Sequence, residues 1–194
     1  MLASFPASML NQKHSDLGIP NRFKLDPSRS SEAAITLNTL LLNTLLRTGE
    51  SGWTILVRLL VGLVVFLPEG IQKLVYADIL GAGRFAKIGI PFPDIMGPFV
   101  GVVETVCGAL IILGLLTRLA AVPLIIIMIV ALVSTKLAIL LGHDVGMFHL
   151  GDIKRLGFWS MMHEARADLT MLFGCVYLLI VGAGRWSLDA RLAR

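Results

Sequence analysis

Charged side chains interrupt the most apolar stretches of this chain. Because a charge in lipid costs at least about 2.5 kcal/mol, such residues usually face a bundle interior or a water-filled cavity. Carboxylates in such a place can exchange protons, and cationic side chains can hold an anion. The candidates for this chemistry are Arg58, Glu69, Lys73, Glu104, Lys136 and Asp168.

The first apolar stretch has one polar face. Its residues follow helical steps of four, three, four and four: Arg58, Gly62, Val65, Glu69 and Lys73. At about 100° per residue they fall on one strip of a helix. Glutamate precedes lysine in an i,i+4 pair, which is the favourable order. Pro68 is expected to bend or loosen the helix beside that pair.

The second apolar stretch places a carboxylate among glycines. Gly97, Gly101, Glu104 and Gly108 follow steps of four, three and four. Glycines on one face allow another backbone to approach closely. We therefore expect Glu104 to meet a cation or a hydrogen-bond donor from the first stretch.

Composition determines the elements that carry these residues. The chain has 194 residues, of which 56% are hydrophobic and 15% charged, with a mean hydropathy of +0.81. Ordinary soluble domains have about 25% charged residues, so a soluble globule and a disordered chain are both excluded. A membrane helix needs about 20 apolar residues. The sequence predicts an all-α fold, a four-helix transmembrane bundle with spans near Trp53–Tyr76, Ile95–Leu116, Arg118–Leu141 and His163–Ala183.

The N-terminal part differs from the membrane domain, which we assign to residues 51–194. Residues 1–34 are rich in proline, serine and mixed charge, and predict a flexible polar cytoplasmic tail. Residues 35–50 have leucines spaced by three and four, and predict an amphipathic helix at the membrane interface. An extension of the first span is the alternative.

Basic residues predict the orientation. Four spans place both termini on one side, with nine basic residues against four on the other. The excess favours both termini in the cytoplasm. The net charge of +4 favours contact with anionic lipid headgroups over nucleic acid. The nine are Lys13, Arg22, Lys24, Arg29, Arg47, Arg118, Arg185, Arg191 and Arg194, and the four are Arg84, Lys87, Lys154 and Arg155.

Depth estimates bring the charges together. At about 1.5 Å per residue, all of the candidates except Arg58 fall in the outer half of the membrane. They could form a buried ion network that fixes helix order, or a polar cavity open to the outer face. Snorkelling of Lys73 and Lys136 is a third interpretation. The loops 81–93 and 148–162 are expected to cover the outer end.

The cysteines and three of the histidines do not predict a particular chemistry. Cys107 and Cys175 lie in separate apolar stretches without a CxxC pair, and predict buried, inert thiols. His143, His149 and His163 predict solvent-facing or interfacial side chains. The spacing of these residues indicates no metal site.

Several short motifs resemble the DoxX family of small bacterial membrane proteins. Their order in the chain, over about residues 53–192, matches the family. The residues that carry the resemblance are Arg58, Glu69–Leu74, Ile88–Pro91, Glu104, Leu113–Ala121 and Gly182–Asp189. The N-terminal tail and the stretch Asp144–Met162 depart from the family's compact pattern.

The resemblance implies a four-helix bundle in the bacterial inner membrane. Some relatives are membrane subunits of thiosulfate:quinone oxidoreductase, and others belong to thiol and oxidative-stress complexes with soluble partners. Together with the intramembrane charges, the resemblance favours a redox-associated subunit in which Glu104 and Glu69 handle protons and a quinone is a candidate cofactor. The residues expected to line its cavity are Arg58, Lys73, Lys136 and Asp168.

Two other functions remain open at this point. One is a non-catalytic membrane scaffold or assembly factor for partner proteins. The other is a small-solute transporter, for which a homo-oligomer would supply the helices that alternating access needs.

Overall fold

The described part of the chain is helical. The computed structural model describes residues 32, 35–37, 39–40, 46, 49, 51–151, 153 and 155–192. Among these residues, the β-type pairing consists of one isolated antiparallel bridge between Val145 and Phe148. The predicted all-α class is therefore confirmed.

Four long helices and two short ones follow one another from Thr54 onward. They are α1 (Thr54–Val75), α2 (Ala82–Lys87), α3 (Pro93–Leu113), α4 (Thr117–Leu141), α5 (Phe158–Val181) and α6 (Leu188–Leu192). Two of the long helices contain wider π-helical segments, over Val65–Ile71 in α1 and over Leu132–Lys136 in α4.

Local sequence signals set both ends of α3. Pro93 occupies the first turn of α3, where its missing N–H costs nothing, and Asp94 follows it at the positive end of the helix dipole. Gly114 ends α3 with φ at 68°, a left-handed conformation that glycine adopts readily. This turn separates α3 from α4 although the apolar sequence runs through it almost without interruption.

Three of the long helices, α1, α3 and α4, are long and apolar enough to cross a membrane. On α1 the outward residues Leu56, Leu60, Leu63 and Leu67 are 45–58% exposed. Such a continuous apolar face is typical of contact with lipid acyl chains. The α5 helix has 24 residues, but its first half carries Glu164, Arg166 and Asp168, so its composition is less apolar than that of the other three.

The long helices pack around a common core. The α1 helix contacts α3 and α5, and α4 also contacts both of them. Cys107 and Cys175 are free and buried in this core, as predicted. The buried residues of the core are Val61, Val65, Cys107, Ile111, Ala120, Ala121, Leu124, Met128, Met171, Cys175 and Leu178.

The N-terminal predictions fall mainly outside the described residues. The chain divides into two compact units, Met1–Leu41 and Leu42–Arg194. In the first unit, Thr36 and Thr39 donate hydrogen bonds to the carbonyls of Glu32 and Ile35, four residues earlier in each case. That spacing is helical. The polar tail over 1–34 and the interfacial helix over 35–50 remain predictions.

Close backbone contact joins α1 and α3. A Cβ atom added at Gly70 would lie 2.7 Å from the backbone nitrogen of Thr105, and one at Gly108 would lie 2.9 Å from that of Phe66. Real Cβ atoms do not come so close, so only glycine permits this separation. The close approach predicted for the glycine face of the second stretch is confirmed.

We predict that Gly70→Ala destabilises the fold because the added methyl group pushes α1 away from Thr105. Overpacking of this kind costs about 1–3 kcal/mol. The thermal unfolding temperature of the detergent-purified protein should fall. Gly151→Ala is the control, since a Cβ there would meet nothing within 4 Å. An unchanged unfolding temperature for Gly70→Ala would show that the helices are less tightly packed.

Candidate functional site

Lys73 lies at the centre of a hydrogen-bonded carboxylate group. Its Nζ donates to Oε1 and Oε2 of Glu104 at 2.8 and 2.7 Å, and to Oε2 of Glu69 at 3.2 Å. The Glu104 side chain has no exposed surface, whereas that of Glu69 is 30% exposed. Both predicted contacts are confirmed: the i,i+4 pair on α1, and a cation from α1 beside Glu104.

The glycine face of α3 makes this geometry available. A Cβ atom added at Gly101 would come within 3.4 Å of Lys73 Cβ and closer still to the Leu74 side chain. Because the helices are so near, the long lysine side chain reaches a carboxylate on α3 and one on its own helix together. A larger residue in place of Gly101 would separate Lys73 from Glu104.

A second ion pair joins α4 to α5. Lys136 Nζ lies 3.4 Å from Asp168 Oδ2, and both side chains are largely buried. Asp168 also interacts electrostatically with Glu104 and Glu69, and with Arg84 on α2. The two pairs therefore form one group between the four long helices. We call it the charged cluster, and it comprises Glu69, Lys73, Glu104, Lys136 and Asp168.

Both π-helical segments carry a member of the charged cluster. Glu69 follows Pro68, which has no N–H for the α-helical pattern, so the predicted loosening of α1 is confirmed as a π-helix. In α4, Thr135 Oγ1 donates to the Ala131 carbonyl at 2.6 Å, and Lys136 follows directly. A π-turn shifts the side chains that come after it relative to an α-helix, and such turns are frequent at functional sites.

The charged cluster has the groups required for proton exchange. Three carboxylates face two lysines, so with every group ionised one negative charge is left over, and Arg84 interacts with Asp168 from outside. Proton transfer requires donor and acceptor within hydrogen-bond reach. The contacts run from partly exposed Glu69 through Lys73 to enclosed Glu104. This order connects the surface to a carboxylate without solvent contact.

Comparison with known proteins agrees with the motifs. The DoxX family model matches residues 53–137. The uncharacterized membrane protein Rv3486 of Mycobacterium tuberculosis is 55% identical over 140 residues, which is 72% of this chain and 81% of that protein. The chain belongs to the DoxX family. No solved structure matches it. Within this DoxX protein, Glu69, Lys73, Glu104 and Lys136 lie inside the family match, and Asp168 lies beyond it.

Arg58 does not join the charged cluster of this DoxX protein. Its two terminal nitrogens donate to the carbonyl oxygens of Ala183 and Trp186 at 2.8 and 2.9 Å. It lies 15 residues before Lys73, about 22 Å away along a helix axis. Arg58 therefore ties the start of α1 to the segment after α5, and the structure gives it no contact with the predicted cavity.

Asp189 is a buried residue to which the sequence pattern gave no separate role. Its Oδ1 accepts the Leu116 N–H at 2.7 Å and its Oδ2 accepts the Thr117 N–H at 3.1 Å. Leu116 has a left-handed φ of 49° and cannot cap α4 with its own side chain, so Asp189 supplies the cap from 72 residues away. The ending Ser187-Leu188-Asp189, which resembles the family, was the available signal.

The loops 81–93 and 148–162 contact each other. His149 N–H donates to the Ile88 carbonyl at 3.1 Å. In the same loop the Leu150 N–H, donating to Asp144 at 2.7 Å, holds the pKa of that carboxyl below its usual range. His143, His149 and His163 are exposed, as predicted.

We predict that Lys73→Met lowers the free energy of unfolding by about 3–5 kcal/mol, because it leaves the buried Glu104 carboxylate without a counter-charge. The double variant Lys73→Met/Glu104→Leu should recover most of that loss, since the buried charge is also removed. Chemical denaturation in detergent micelles measures both.

Lys87→Met is the matched control, because Lys87 is an exposed lysine at the end of α2. It should change the free energy of unfolding by less than about 1 kcal/mol. If Lys73→Met were as mild as Lys87→Met, the charged cluster would not be held by the Lys73–Glu104 pair.

Proposed function

We propose that this protein is a redox-associated membrane subunit whose charged cluster exchanges protons during the reaction of a quinone with a small thiol or sulfur compound. The observation that carries the proposal is the enclosed Glu104 carboxylate, which Lys73 connects to the partly exposed Glu69. Ionisable groups inside membrane helices commonly form proton relays. The redox setting comes from the resemblance to quinone-linked and thiol-linked DoxX relatives.

Each residue of the relay has a distinct part in the proposal. Glu69 exchanges protons with the surroundings, because its side chain is the most exposed of the three. Lys73 donates to both carboxylates and passes a proton between them. Glu104 stores or releases that proton out of contact with water. Lys136 and Asp168 set the local electrostatic potential, through the Asp168 interaction with Glu104.

The donor set of the charged cluster fits a quinone. A bound quinone supplies reversible uptake of two electrons and two protons. The Lys136 ammonium would donate to a quinone carbonyl oxygen, because the three N–H groups of Lys73 already donate to Glu104 and Glu69. Glu69 and Asp168 are the partly exposed carboxylates of the cluster. A pair of thiols that becomes a disulfide releases two electrons and two protons, which balances the reaction. A soluble redox partner is the other proposed electron source.

The membrane arrangement we propose is a four-helix transmembrane bundle. The α5 helix is about 36 Å long at 1.5 Å per residue, enough to cross the hydrocarbon core. It contacts the first half of α1, Thr54–Val64, and all three segments of α4, and Asp168 near its middle is paired with Lys136. The proposed location is the bacterial inner membrane with both termini in the cytoplasm, from the excess of basic residues on that side.

Glu104→Gln tests the redox proposal. Membranes that contain the chain should reduce quinone with thiosulfate or a small thiol faster than membranes without it. Glu104→Gln should remove at least about 90% of that difference, since general acid–base groups contribute about 100-fold or more. Glu164→Gln is the control, because Glu164 is an exposed glutamate on α5. A folded Glu104→Gln protein with the full rate would eliminate the proton role.

A non-catalytic scaffold is the second candidate. The observation that favours it is the pairing of charges inside the charged cluster, Lys73 with Glu104 and Lys136 with Asp168. Pairing of this kind can fix the order of helices without any reaction.

For the scaffold, we expect deletion of the chain to lower the amounts of its partner proteins, measured by quantitative mass spectrometry of the membranes. Re-expression of Glu104→Gln should restore those amounts as well as the unchanged chain does. If the unchanged chain restored the amounts of partner proteins and Glu104→Gln did not, the role would depend on the Glu104 carboxylate. That result would contradict a scaffold role that does not need this carboxylate.

A further inference from the structure

A cavity lies at the C-terminal end of α3, the end opposite the loops 81–93 and 148–162. Its volume is about 510 Å³, within the range of roughly 300–1,000 Å³ that is usual for small-molecule sites. One wall is the last turn of α3, and the other is the segment that follows α5. The lining residues are Ile112, Leu113, Arg185, Trp186, Ser187, Leu188 and Arg191.

The cavity is cationic on one side. Arg185 and Arg191 are both exposed, and among the described residues neither forms a salt bridge with a carboxylate. The Arg185 guanidinium lies 5.7 Å from the centre of the Trp186 ring, which positions it beside the cavity. Two guanidinium groups without acidic partners are well suited to a phosphate group, which they can bind through paired N–H donors.

The opposite side of the cavity is apolar and continuous with a candidate membrane span. Ile112 and Leu113 are the last two residues of α3, and Leu113 is 54% exposed. Trp186 is 60% exposed beside them. Tryptophan and arginine next to the end of an apolar helix are typical of the headgroup region of a bilayer.

We propose that this cavity binds an anionic phospholipid, with the lipid phosphate between Arg185 and Arg191 and an acyl chain along Ile112 and Leu113. The charge of the site selects a negative headgroup over a neutral one. Its apolar wall selects a lipid over a free phosphate ion, because the ion would leave Ile112 and Leu113 facing water. The site is separate from the charged cluster, and binding there does not require the proposed redox reaction.

Native mass spectrometry of the full chain in detergent tests the proposal. The probes are phosphatidylglycerol, phosphatidylcholine with the same acyl chains, and inorganic phosphate. We expect phosphatidylglycerol to be retained at least about 10-fold better than phosphatidylcholine, a difference of about 1.4 kcal/mol. Inorganic phosphate at the same concentration should not displace it.

The double variant Arg185→Gln/Arg191→Gln should lose this preference without losing its fold. The control Lys87→Gln/Arg155→Gln removes the same amount of charge at two exposed positions outside the cavity, and should keep the preference. Equal retention of phosphatidylglycerol by both double variants would overturn the proposal, and so would displacement by inorganic phosphate. Unchanged unfolding temperatures establish that either result reports on the site.

Discussion

The packing of α1 against α3 depends on the ionic contact of Lys73 with Glu104. An enclosed carboxylate is costly unless a cation and hydrogen bonds compensate it. Lys73 supplies both, with two short contacts to Glu104 and a third to Glu69. The contact is satisfied only if α1 and α3 face each other at one rotation and one depth.

Two backbone features make this contact geometrically accessible. Glycines on α3 remove the side chains that would separate the helices, as the contact of Gly70 with Thr105 illustrates from the opposite side. The π-helical segments then adjust which side chains face inward. Each segment lies at a charged residue, Glu69 in α1 and Lys136 in α4. In each helix, the departure from α-geometry coincides with the residue that needs a buried partner.

The opposite end of the packed helices is organised by different chemistry. There the charged side chains bind backbone groups: Arg58 donates to carbonyls after α5, and Asp189 accepts N–H groups at the start of α4. Helix ends leave such groups unsatisfied, and in a chain this apolar little water is available to satisfy them. The two ends therefore use buried charge differently, one for pairs of side chains and the other for helix termini.

The sequence by itself determined the helical class, the three apolar spans to within a few residues, the glycine face of α3 and the Glu69–Lys73 pair. All of these depend on local composition or on helical spacing, which one chain segment contains in full. The partner of Glu104 could be assigned to α1 because buried carboxylates require a cation. Only the tertiary structure decided that Arg58 binds the carbonyls that follow α5 and that Asp189 caps α4. Those contacts join residues far apart in the chain, and their geometry depends on how whole helices pack, which local spacing does not encode.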